Sequence, residues 1–144
     1  MKRLGYLLGS DSEGVFFMKE QSLLIPLNIV SKPVRLRRTM FHLLDFILEK
    51  ANTGLIPDDE IMRNVWEGYG LKASTPRLWQ VMNELKKKLT NLGVEPNFIT
   101  RVEGKGYIAN RAIMEPVYIR ASFIWQSSMV SDNKKSLLLK SSIN

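Results

Sequence analysis

The chain has 144 residues, 44% hydrophobic and 24% charged, which suits one globular domain with its own core plus a tail. A net charge of +7 and a pI near 9.8 fit an acidic partner (nucleic acid, an anionic membrane or an acidic protein) without choosing among them, and they also serve plain solubility. The absence of cysteine excludes disulfide frameworks and thiolate metal sites and fits a reducing cytoplasm, and the apolar run of "MKRLGYLLGSDSEG" stops at Leu8, short of a signal peptide.

Up to about Leu36, "RLGYLLG", "GVFFMKE", "SLLIPLN" and "PVRL" are short apolar runs broken by Gly, Ser, Asp, Asn and Pro. They predict four strands in a small antiparallel sheet. From Arg37 to Asn110 the period changes. "RTMFHLLDFILEKANTG" predicts a helix with Phe41, Leu44, Ile47 and Leu48 on one side, Thr39 as its cap and Gly54 as its terminator. "PDDEIMRNVWEGYG" predicts a short second helix, with Asp58 to Glu60 in the first turn where the dipole favours negative charge, ended by Gly68 and Gly70. "STPRLWQVMNELKKKL" predicts a third helix, residues 75–89, whose apolar stripe is Leu78, Met82, Leu85 and Leu89. Thr75 suits the N-cap and Pro76 the first helical position. "NFITRVEGKGYIAN" then reads as a β-hairpin: Phe98 to Val102, a turn at Glu103 to Gly106, and Tyr107 to Ala109.

The domain therefore spans 1–110, and 111–144 is a tail. In the tail "PVYIRASFIW" has the character of a strand, and "SDNKKSLLLKSSIN" that of a frayed helix or a disordered segment. Its uncharged stretch "ASFIWQSSMVS" has 11 residues, against about 20 for a bilayer-spanning helix. Because "VYIRASFIW" is too apolar for a free linker, the tail is expected to contact a partner or a second copy of the chain.

Three helices followed by a hairpin is the order of a winged helix-turn-helix, an α+β fold. In "RTMFHLLDFIL…GLIPDDEIMRNVW…STPRLWQVMNELKKKL…FITRVEGKGY" the landmarks are the acidic start of the second helix, its Val65-Trp66 end, the basic run before Leu89, and the Gly104 to Tyr107 closure. With them the chain resembles, over about residues 3 to 110, the DNA-binding domain of OmpR/PhoB/ToxR-type transcriptional regulators. "YLLG" is more similar to the ToxR branch, whose members lack a receiver domain. Members of that branch are often anchored by a following transmembrane helix, so this chain is expected to be a cytosolic variant or a piece of something longer. Arg101 stands where a threonine is usual, and Glu103 where a basic residue or proline often sits. Trp79 and Gln80 occupy positions that vary between members. These departures bear on base preference and wing contacts.

The resemblance implies that double-stranded DNA is the partner and that the third helix enters the major groove. Opposite the apolar stripe lie Arg77, Trp79, Gln80, Asn83 and Lys87. Asn and Gln bond adenine in bidentate fashion and Arg does the same with guanine, so Gln80 and Asn83 are the expected base readers, while Arg77 reads a base or holds a phosphate. Lys86 and Lys87, in the basic run that also suits the helix dipole, are expected on the DNA backbone. So are Lys105 at the hairpin tip (a phosphate or minor-groove probe) and Arg101; Glu103 opposes them. Trp79 is grouped with these backbone contacts: it packs on thymine methyls or a sugar edge, or folds back against Trp66 and the wing. "RLRR", Arg35 to Arg38, is a phosphate contact or, more ordinarily for a strand–helix junction, solvated charge. The loop Glu67 to Ser74 is longer than a tight helix-turn-helix allows, and the resemblance implies a contact there to RNA polymerase, with Tyr69 and Lys72 exposed. Tandem half-sites bound head to tail are likewise implied.

Catalysis finds little support. His42, the single histidine, sits beside Phe41 and Leu43 as a rim or core residue, and Asp58, Asp59 and Glu60 have no partner ligand cluster. "EGKGY" lacks the Walker spacing and the Lys-Ser/Thr pair of a phosphate loop. No enzyme activity, cofactor or metal is expected. Two other functions compete: a winged-helix module for protein contacts that reads no DNA, and peripheral membrane attachment through "IRASFIW" and "NKKSLLLK".

Overall fold

A computed structural model describes residues 1–10, 13–28 and 30–120. Four short strands come first: β1 (Lys2–Leu8), β2 (Val15–Met18), β3 (Leu23–Pro26) and β4 (Val34–Arg35). Helix α1 (Arg38–Lys50) follows, then β5 (Ile56–Pro57), α2 (Asp58–Val65) and α3 (Thr75–Asn91). The hairpin is β6 (Ile99–Val102) and β7 (Gly106–Ala109), and β8 (Met114–Ile119) ends the described chain.

Among the described residues the N-terminal sheet has five strands, in the order β4-β3-β2-β1-β8, with every neighbouring pair antiparallel. The expected four-stranded sheet thus gains an edge from the segment read as tail. Without β8 the longest strand, β1, would expose a row of unpaired backbone groups. Pairing from Leu8↔Met114 to Lys2↔Ile119 covers that row, with a register shift between Arg3 and Gly5. The apolar character of "VYI" is therefore spent on β1, where Val117 and Ile119 are half-buried. Arg3 fastens the same seam, donating to Glu49 at 2.8 Å and to the Tyr118 hydroxyl at 3.2 Å. The contact with a partner or a second copy is expected of the tail, residues 111–144, of which 121–144 lie outside the described residues.

The inner face of the sheet (Tyr6, Leu8, Val15, Phe17, Leu24) and the inward faces of the helices form one continuous core. From α1 it takes Met40, Leu43, Leu44, Ile47 and Leu48, while Phe41 lies at the rim, 5.6 Å from Phe17 between ring centroids. From α3 it takes the whole predicted stripe plus Val81. Trp66, just past α2, is 2% exposed, and its carbonyl accepts the N–H groups of Tyr69 and Leu71, each at 3.0 Å. One buried indole thus pins the start of the α2–α3 loop.

Two caps differ from expectation. Thr39 lies inside the first turn of α1, whose N-cap is Arg37 with no side-chain bond. The N-cap of α3 is Ser74, not Thr75: its extended backbone (φ −152°, ψ 154°) lets its Oγ accept the Arg77 N–H at 3.2 Å. Such a cap contributes about 1 kcal/mol. Thr75 and Pro76 occupy the first two helical positions, where an N–H has no partner to lose.

A second sheet, β5-β7-β6, holds the hairpin. Strand β5, not expected from the sequence, pairs Ile56↔Tyr107 and Pro57↔Gly106. Gly106 is required there, because a Cβ at that position would overlap the Ile56 carbonyl oxygen. This pairing fixes the hairpin to the start of α2 and so aims it.

Candidate nucleic-acid interface

Advancing about 100° per residue, α3 divides into three longitudinal faces. Leu78, Val81, Met82, Leu85 and Leu89 are buried. Gln80, Asn83 and Lys87, all exposed, lie within about 40° of the opposite pole. These are the outermost groups on the helix, and all three carry hydrogen-bond donors. Arg77 is exposed but lies about 90° from that pole, on the flank shared with Glu84 and half-buried Lys88. Trp79 and half-buried Lys86 occupy the other flank.

The Trp79 flank meets the hairpin. The indole remains 48% exposed, and the Arg101 guanidinium carbon lies 5.8 Å from its centroid. In the free domain Trp79 thus meets the wing, while Trp66 is buried in the core. Arg101 is held within this seam. Its Nη1 donates to Asp58 Oδ1 at 2.6 Å, both side chains are less than 20% exposed, and Tyr107 covers it at 4.9 Å. The Asp58 hydrogen bond, with burial opposing it, raises the Arg101 pKa further above its already high ordinary value. In the free domain the Arg101 charge is thus paired with the Asp58 carboxylate. The sequence alone offers Asp58 only a place in the helix dipole, because its partner lies 43 residues away.

Lys105 is the exposed cation of the turn. Gly104 adopts φ +72°, and the Lys105 N–H donates to the Val102 carbonyl at 3.0 Å. On the far side of α3, a shallow groove is lined by Arg37, Met40, Glu84, Lys87, Lys88 and Asn91. Arg37 of the "RLRR" run therefore stands beside the lysines of α3, with Glu84 among them. The charge run was visible in the sequence; its placement beside α3 was not.

Tyr69 and Lys72 are exposed on the α2–α3 loop, with Leu71 between them at 47% exposure. The Tyr69 ring stacks on His42 at 3.8 Å and 20°, so the half-buried His42 is a rim residue that holds the loop. Burial, then the charge of Arg38, lowers the His42 pKa below 6.5, with Asp45 opposing. The unfolded chain then takes up the proton first as pH falls, so stability declines from about pH 6.5 downward until folded His42 also titrates. Urea titrations across that range are expected to show the decline, and His42→Gln to remove it. An unchanged pH profile in that variant would refute the assignment. Among the described residues there is no cluster of His, Cys, Asp and Glu suited to a metal ion, and no helix long and apolar enough to cross a membrane.

Residues 31–109, more than half of the chain, match the model of the family described as "Transcriptional regulatory protein, C terminal". The chain belongs to this family. As an OmpR/PhoB-type DNA-binding regulatory domain, it shares its architecture with two solved structures. It is similar to the DNA-binding domain of E. coli CadC at 17% identity and a TM-score of 0.61, over 83% of this chain and 100% of that one. It is also similar to the C-terminal domain of NsrR, the nisin resistance regulator described as a lantibiotic response regulator. That match has 23% identity and a TM-score of 0.53, over 67% of this chain and 90% of that one. At such identities these neighbours establish the fold alone. No curated protein matches the chain. For a transcriptional regulatory domain, the exposed face of α3 is the surface to be explained.

Proposed function

We propose that this domain reads double-stranded DNA by sequence, with α3 in the major groove and the β6–β7 wing on the backbone or in the minor groove. One observation carries the reading: Gln80, Asn83 and Lys87 form an exposed line along α3 while the opposite face is sealed in the core. Gln80 and Asn83 are the base readers, and Arg77, at the N-terminal flank, reads a base or holds a phosphate. Lys86, Lys87 and Lys105 neutralise phosphates, joined by Arg37 across the groove. Trp79 makes an apolar contact at the seam of helix and wing. The exposed loop with Tyr69, Leu71 and Lys72 is a docking point for RNA polymerase; promoter activation that survives loss of both Tyr69 and Lys72 would remove that role. Membership of the ToxR-like branch fits the N-terminal strands.

The test is selection from a random duplex pool at near-physiological salt. An enriched motif is expected, and Lys87→Ala should weaken all duplexes alike while lowering the slope of log K against log salt by about 0.9. Salt-sensitive binding without a motif would instead leave a winged-helix module used for protein contacts.

A further inference from the structure

Four elements meet at one ion pair. Asp58 is the first residue of α2, Arg101 lies on β6, and Trp79 on α3 and Tyr107 on β7 flank the guanidinium. The Asp58 N–H donates to the Lys105 carbonyl at 3.0 Å, so the same residue holds the wing through its backbone and its side chain. Arg101 Nη1 also reaches the Gly106 carbonyl at 3.4 Å. A carboxylate beside a surface that meets a polyanion would ordinarily oppose binding. Here it is 18% exposed and paired, and its geometric effect is to fix the guanidinium next to the half-exposed indole.

We propose that Asp58 is a positioning residue for DNA binding: it holds Arg101 against Trp79, so that the exposed side of the indole meets the apolar edge of the duplex, a deoxyribose or a thymine methyl, between helix and wing. This rests on the DNA-binding reading above. It opposes the simple electrostatic expectation in sign. If Arg101 were a phosphate ligand restrained by Asp58, removing the carboxylate would free a cation and tighten binding. If the pair positions Trp79, removing either partner weakens binding.

The experiment compares the unsubstituted chain with Asp58→Asn, Arg101→Gln and the double variant on a duplex carrying the enriched motif, at several salt concentrations. Each single variant is expected to weaken binding about threefold or more, and the double no further than the worse single, because contacting groups couple. The salt slope should stay within about 0.3 of the unsubstituted value, against about 0.9 for a lost phosphate contact. Asp58→Glu, which keeps the carboxylate, should recover part of the affinity. In the free proteins, NMR should show the Trp79 indole shifted by Asp58→Asn while the Trp66 indole stays, which separates a loosened seam from unfolding. Trp79→Ala should also weaken binding. If replacing thymine by uracil mimics that loss, the contact is a methyl; if it has no effect, the contact is a sugar. Equal or tighter binding by Asp58→Asn, additive single variants, or a Trp79→Ala variant that binds normally would each overturn the positioning role while the DNA-reading proposal stands. A chain that enriches no motif would remove both.

Discussion

Gln80→Ala/Asn83→Ala is expected to lose the selected motif almost entirely, while weak binding to any duplex persists. Both side chains are exposed on the side of α3 opposite the buried stripe, so the substitution leaves the core alone. Stability should therefore stay within about 0.5 kcal/mol. Each bidentate base contact accounts for about 1–3 kcal/mol of discrimination. Losing two corresponds to roughly 30-fold or more on the specific site. Neither residue is charged, so the salt slope should not change. This separates them from Lys87, whose loss acts through the slope. Competition between selected and scrambled duplexes is the measurement; a variant that still prefers the selected duplex would mean that another element reads the bases.

Trp66→Ala is expected to be the most destabilising single change in the domain. The indole is 2% exposed at the end of α2, and truncating a buried Trp costs about 3–5 kcal/mol. A domain of this kind has a total stability of about 5–15 kcal/mol, so the loss takes a large part of it. The consequences extend to the surface, because the Trp66 carbonyl anchors the loop that carries Tyr69 and Leu71. Chemical denaturation should show a much lower midpoint, with DNA binding lost in step. Trp79→Ala provides the contrast: its indole is 48% exposed, so it should lower binding with little change in the denaturation midpoint. A Trp66→Ala midpoint close to that of the unsubstituted chain would mean that the core can close over the vacancy.

Local pattern and tertiary placement contributed different things to this picture. The strands before Leu36, the three helices, the hairpin and the buried stripe of α3 were legible because each follows from the spacing of apolar residues within one element. Gln80, Asn83 and Lys87 were legible on the same ground, since a stripe defines its own opposite face. The cap of α3 was less so: Ser74 and Thr75 are adjacent hydroxyl residues, and the choice rests on which backbone is extended.

What the sequence left open was every decision that joins distant segments. Residues 114–119 have a strand's composition, but that they cover β1 depends on which edge of the sheet is bare. Arg101 looked like a phosphate ligand because an exposed cation near DNA ordinarily is one. Only the folded chain brings Asp58 to within 2.6 Å of it and Trp79 alongside. Periodicity is a property of neighbours along the chain, whereas an ion pair across 43 residues exists only once the core has fixed where both elements lie.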